Sequence, residues 1–152
     1  MGKGGLIGEL SAEFAGTMVL ILFGCGVVAQ VTLAQGANGE YQSINWAWGI
    51  GVTLGVYTAA RLSGAHLNPA VTVALAAFKG FSWAKVGPYA LAQLAGAFVA
   101  ALIVRAVYAD FIGAVDPGTT AATQGIFFTA PGLMPDGNTV SITTAFVDQV
   151  VG

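Results

Sequence analysis

The polar residues able to do chemistry in this chain are few, and several fall together in SGAHLNPAVT, Ser63 to Thr72. That stretch holds the single histidine, His66, two places before Asn68 and Pro69. Asparagine is a strong helix N-cap and proline is favoured at the first helical position, so the pair predicts a helix start. In that role the Asn68 side-chain oxygen accepts a backbone N–H, and its NH₂ is left to donate to a passing hydroxyl or water. Before it, Gly64, Ala65, His66 and Leu67 offer successive backbone carbonyls as acceptors, and Gly64 lets the chain turn. The positive end of the helix dipole lies at the same point. Together these groups disfavour a cation and accept a neutral, oxygen-bearing solute. This is the chemistry of passage rather than of bond breaking. The chain shows no Ser–His–Asp set, no Cys/His metal spacing and no Gly-rich phosphate loop. No enzyme, metal or cofactor is therefore expected. Cys25 sits alone in an apolar run and reads as a small core residue.

The elements that must position these residues are built for lipid. The chain has 152 residues, 56% hydrophobic and 8% charged, with a mean hydropathy of +0.78. A soluble domain carries about 25% charged residues, so an integral membrane protein is expected. The net charge of −2 gives no pointer to nucleic acid. A bilayer core needs roughly 20 apolar residues of helix. Three segments are expected to cross: 6–33, 42–61 and 82–108, with a fourth helix beginning near Ser141. Lys3 precedes the first, but Glu9 and Glu13 interrupt its apolar run, which argues for a retained helix over a cleaved signal.

Between the second and third helices, the apolar part Pro69 to Phe78 has ten residues. That gives about 15 Å of helix, half a bilayer, and suits a re-entrant half-helix. The irregular backbone before it must line a wet cavity or be buried in protein. This topology places Lys3, Arg61, Lys79 and Lys85 on one side, with Glu40, Asp110, Asp116 and Asp136 on the other. The N-terminus is then cytoplasmic. Ala109 to Val140 is a long external connection, whose part Gly125 to Met134 is expected to fold back over the membrane surface.

Other residues have plainer readings. Gly51 and Gly55 on the second helix, with Ala92, Gly96 and Ala100 on the third, read as close-packing seams. Glu13 lies deep in the first helix and must face a partner or a wet cavity. Glu9, one turn earlier, is expected to be solvated at the membrane edge. Gln93 is expected to bridge helices or the loop. Arg61 and Lys79 read as interfacial anchors, and Arg105 as snorkelling outward. His66 reads as a hydrogen-bonded buried histidine rather than a pH gate.

SGAHLNPAVT resembles the first signature loop of the major intrinsic proteins, the aquaporins and glycerol facilitators. AEFAGTMVLILFGCG (Ala12 to Gly26) resembles that family's first helix, and AQLAGAFVAA (Ala92 to Ala101) its third. The resemblance implies an all-α, aquaporin-like bundle in which Asn68, Pro69 and Ala70 form one of two NPA motifs. By it, Glu13 accepts backbone N–H groups of the re-entrant loop, and Asp148 holds the equivalent place on helix four, where the family usually has glutamate. Trp48 lies twenty residues before Asn68. In the family that position lines the narrowest point of the pore, with phenylalanine in water channels and tryptophan in glycerol facilitators. QSINWAWGIGV is similar to the facilitator pattern.

The implied function is a passive channel for glycerol and similar small neutral solutes, with water, in a plasma or inner membrane. A water-selective channel, an active transporter with broken helices and a non-conducting fragment are the alternatives. Only one NPA is found. The expectation is one inverted repeat plus the start of the next, part of a longer channel that is homotetrameric when complete and does not conduct as this chain alone.

Overall fold

In the computed structural model, residues 4–35, 37–118, 120–132, 134 and 136–151 are described; Lys3 lies outside them. Among the described residues seven helices follow one another: α1 (Gly5–Leu33), α2 (Tyr41–Ser63), α3 (Pro69–Phe78), α4 (Trp83–Val107), α5 (Ala109–Val115), α6 (Ala121–Gln124) and α7 (Ile142–Val151). The long helices are apolar on nearly every side. Large side chains such as Ile50, Leu54, Leu94, Phe98 and Leu102 stay exposed because lipid, not water, suits them.

Among the described residues, α1 and α4 are the helices both long and apolar enough to cross a membrane, with mean hydropathies of 2.1 and 2.0. The sequence led us to expect a third. α2, at 23 residues, spans about 35 Å and has the length. Its hydropathy is lowered by Gln42, Ser43, Asn45, Thr53, Thr58 and Arg61. Two of these polar groups are satisfied within the helix: the Thr53 and Thr58 hydroxyls donate to the Gly49 and Leu54 carbonyls, each at 2.8 Å.

α1 is the hub, packed against α2 on one side and α4 on the other. α1 and α2 run antiparallel, since Gly16 meets Gly55 and, further along α1, Gly24 meets Trp48. The approach at Gly16 and Gly55 leaves no room for side chains. A Cβ at Gly16 would fall 2.8 Å from the Gly55 carbonyl oxygen, and one at Gly55 would fall 2.7 Å from that of Gly16. Against α4, the Gly96 Cα lies directly under the Phe14 carbonyl. In lipid such close backbone contact supplies the packing that hydrophobic burial supplies in water.

α1 and α4 run parallel. Tyr89 bonds Glu9 and Gln93 bonds Glu13, each pair 80 positions apart. The Tyr89 hydroxyl also reaches the Ser63 carbonyl at the end of α2. The end of α2 and the start of α4 thus share one end of the bundle, so the intervening segment with α3 enters and leaves on that side.

The opposite end is closed by an apolar cluster of Cys25, Ala29, Leu33, Val104, Ile112 and Ile126. Gly125 to Met134 was expected to lie over the membrane surface. Of its described residues Ile126 alone is buried, in this cluster, and the others are exposed. Asp116 fastens the connection there: its Oδ2 accepts the Thr120 N–H at 2.7 Å and the Thr123 hydroxyl at 2.9 Å. The Thr120 amide chiefly, with both threonine hydroxyls, holds the Asp116 carboxyl below its usual range. α7 buries none of its residues.

Candidate pore loop

α2 ends where Gly64 adopts a left-handed φ of 90° and its N–H bonds the Ala60 carbonyl. Two non-glycine residues after it are also left-handed, Ala65 at φ 54° and Leu67 at φ 53°. Such conformations are unfavourable for side-chain-bearing residues and persist only when the surroundings hold them. Here Glu13 does so. Its fully buried carboxylate accepts the His66 N–H on Oε1 at 2.9 Å and the Leu67 N–H on Oε2 at 2.7 Å. Oε2 also accepts the Gln93 side chain at 2.8 Å.

In a trans peptide the carbonyl points opposite to the N–H it is joined to. Because the His66 and Leu67 amides face Glu13, the Ala65 and His66 carbonyls face away from α1. The Ala65 N–H is held by Ser63 Oγ at 3.1 Å, so the Gly64 carbonyl points away from that hydroxyl. The carbonyls of Gly64, Ala65, His66 and Leu67 accept no hydrogen bond from any described residue.

Asn68 follows in extended conformation and caps α3, its side-chain oxygen accepting the Ala70 N–H at 2.7 Å, with Pro69 as the first helical residue. The Asn68 side chain is exposed, and its NH₂ has no partner among the described residues. Its own carbonyl takes the Thr72 N–H and the Thr72 hydroxyl, both at 3.0 Å. Thr72 is fully buried and is the junction of the site, for its Oγ1 also meets Gln93 Nε2 at 3.0 Å and His66 Nδ1 at 3.1 Å.

Glu9 departs from the expectation of a solvated carboxylate. It is only 6% exposed, and Lys85 donates to both of its oxygens at 2.9 and 2.7 Å. Tyr89 OH adds a bond at 2.9 Å. The parallel register of α1 and α4 brings the first turns of α4 under Glu9, so the charge is buried with its partner rather than in water. From sequence Lys85 was read only as a charge on the Lys/Arg-rich side, and Tyr89 and Thr72 were given no role. The available signal was periodic: Glu9 and Glu13 are one turn apart on α1, as Lys85, Tyr89 and Gln93 are on α4. Phe81 was missed too; its ring lies 4.6 Å from that of His66 and 4.9 Å from that of Tyr89.

Trp48 stands apart from the loop. Its half-buried indole lies over Gly24, where any Cβ would collide with the ring. Leu67 packs at Gly16, eight residues back along α1, so Trp48 lies about 12 Å further along the bundle. Trp46 is 74% exposed and faces outward. Asp148, on α7, is exposed, and the structure does not bring it to the network around Glu13.

Long apolar helices, a ten-residue helix that enters and leaves at one end of their bundle, and a row of carbonyls without described donors leading to its capped start define the class: an all-α membrane protein of aquaporin-like fold. Residues 3–147 match the family described as Major intrinsic protein, and the chain belongs to that family. It is 50% identical over 125 residues to Aquaglyceroporin-9 of Botryotinia fuckeliana, covering 82% of this chain and 27% of that protein. To Aquaglyceroporin-2 of Rhizophagus irregularis it is 40% identical over 152 residues, covering 95% of this chain and 46% of that protein. The X-ray structure of the aquaglyceroporin from Plasmodium falciparum superposes with a TM-score of 0.81 at 33% identity, covering 96% of this chain and 56% of that one. The chain thus spans less than half the length of these two curated relatives.

Proposed function

We propose that this chain supplies one half of the wall of a passive channel for glycerol and similar small neutral solutes, together with water. The carrying observation is the row of carbonyls from Gly64 to Leu67 with no donor among the described residues, ending at the Asn68 NH₂, which likewise has no partner among them. A solute hydroxyl gives its proton to the carbonyls in turn and takes one from Asn68 at the start of α3. The α3 dipole and the Asn68 donor oppose cations and protons at that point. Trp48, set further along, gives a flat apolar wall for the carbon edge of a polyol. The aquaglyceroporin relatives support glycerol over a strictly water-selective lumen. An ion-coupled transporter is disfavoured because Glu13, a deep carboxylate, is already occupied by three donors.

The reading includes a cytoplasmic N-terminus in a plasma or inner membrane, a second repeat facing this one, and a homotetramer of complete subunits. Asp148 is proposed to brace the loop of that second repeat. The test is glycerol and water efflux from proteoliposomes holding either the 152-residue chain or the full product of its reading frame. Glycerol flux from the full product alone supports the reading. Flux of water without glycerol favours the water-selective alternative. Glycerol flux through the 152-residue chain alone would sink the half-wall reading.

A further inference from the structure

We infer that His66 is held as the tautomer protonated on Nδ1, which leaves its Nε2 as a side-chain hydrogen-bond acceptor for a solute hydroxyl or water beside Gly64. The tautomer follows from counting hydrogens at Thr72. A hydroxyl has one hydrogen and two lone pairs. Thr72 Oγ1 meets three groups: the Asn68 carbonyl at 3.0 Å, Gln93 Nε2 at 3.0 Å and His66 Nδ1 at 3.1 Å. Gln93 is a donor to it, because the same nitrogen lies 2.8 Å from a Glu13 carboxylate oxygen. One lone pair is thereby used, leaving one hydrogen and one lone pair for the other two groups.

The Asn68 carbonyl can only accept. Both remaining contacts form together only when Thr72 donates to Asn68 and His66 Nδ1–H donates to Thr72. The opposite tautomer takes the Thr72 hydrogen for Nδ1 and forfeits the bond to Asn68. One net hydrogen bond corresponds to roughly a fivefold preference.

The far nitrogen is then bare. Tyr89 packs on the His66 ring at 5.0 Å, but its hydroxyl is directed to Glu9 and Ser63. No described residue donates to Nε2. A Cβ placed on Gly64 would lie 3.9 Å from Nε2 and, chain neighbours aside, would meet only that ring, so Gly64 leaves room on its own side of the otherwise buried imidazole. Nε2 therefore joins the unpaired carbonyls as one more acceptor, and this stretch of the wall presents acceptors only. The tautomer stands without any claim of transport; the solute contact rests on the channel reading.

The sequence has a single histidine, which makes the measurement unambiguous. Protein labelled with ¹⁵N-histidine, reconstituted in lipid and studied by solid-state NMR near neutral pH, is expected to show a protonated Nδ1 and a bare Nε2. A protonated Nε2, alone or in a doubly protonated ring, overturns the proposal. In Thr72→Val the Nδ1 partner is lost and the population is expected to move several-fold toward Nε2–H; Thr72→Ser should keep the original tautomer. An unchanged tautomer in folded Thr72→Val overturns the assigned cause. Added glycerol is expected to shift the Nε2 resonance, and no shift at molar glycerol overturns the solute contact. Absence of flux would leave these resonances unchanged, so failure of the channel reading is separately visible.

Discussion

Glu13 Oε2 lies 2.7 Å from the backbone nitrogen of Leu67, a residue whose left-handed φ of 53° nothing in its own side chain favours. The carboxylate and the contorted backbone belong together. Bonds from amides to a charged acceptor are worth about 1.5–3 kcal/mol each, which matches the roughly 1–3 kcal/mol held in each unfavourable conformation. Glu13→Gln keeps the shape, removes the charge and points an NH₂ at a donor. It is expected to lower stability by about 3 kcal/mol. The denaturation midpoint in detergent and faster hydrogen exchange across residues 64–68 are the readouts. An unchanged exchange rate would show that Glu13 does not hold the loop.

The glycines of the α1–α2 crossing should sort by what surrounds them. Gly55→Leu drives a side chain into the Gly16 carbonyl and is expected to cost at least about 3 kcal/mol, the upper range of overpacking. Gly49→Ala, on the same helix with nothing within 4 Å, is expected to be neutral or to stabilise by up to about 1 kcal/mol. Thermal unfolding of the two variants in the same lipid checks the contrast, and equal losses would refute the crossing.

Lys85 and Glu9 test a buried charge against its partner. Lys85→Met strands the Glu9 carboxylate with Tyr89 alone. Lys85 is 35% exposed, so the expected loss is discounted to about 1–3 kcal/mol. Adding Glu9→Gln removes the stranded charge, and the double variant should be more stable than Lys85→Met. A double variant that is less stable than the single one would mean the carboxylate does not depend on the lysine.

Asp116 gives the connection after α5 a pH dependence of definite sign. Its folded-state pKa is depressed, chiefly by the Thr120 amide. The stabilisation is therefore present above the unfolded value near 3.9 and is lost as pH falls through the lower folded value. Limited proteolysis of the segment 116–128 should be slow at pH 7 and accelerate below about pH 4. Asp116→Asn should be cut faster at pH 7 and respond less to acid; equal cleavage of both proteins at pH 7 would remove Asp116 as the fastener.

Much of the site was legible because its determinants are local. Asn68 and Pro69 mark a helix start by their own chemistry, and the ten residues after Asn68 measure half a bilayer. Glu13 was legible as a deep charge that needed an answer. Glu9 was misread because its partners lie 76 and 80 positions away, and only the parallel register of α1 and α4 reveals them. Gly64 announced its turn; Ala65 and Leu67 did not, since nothing in an alanine or a leucine marks a left-handed backbone. The slot for Trp48 was invisible for a related reason. Gly24 looks like any glycine of an apolar helix until α2 crosses over it.

The junction at Thr72 also orders events during synthesis. Glu13 leaves the ribosome long before the loop, but Gln93 follows Asn68 by 25 residues. At roughly 5–20 residues per second, the loop waits about one to five seconds for the side chain that joins Glu13 to Thr72. Through that interval α3 is too short to span the bilayer and has no α4 to lean on. Its capped start must be sheltered by α1 and α2, or by the insertion machinery, until α4 arrives and locks the half-helix in place.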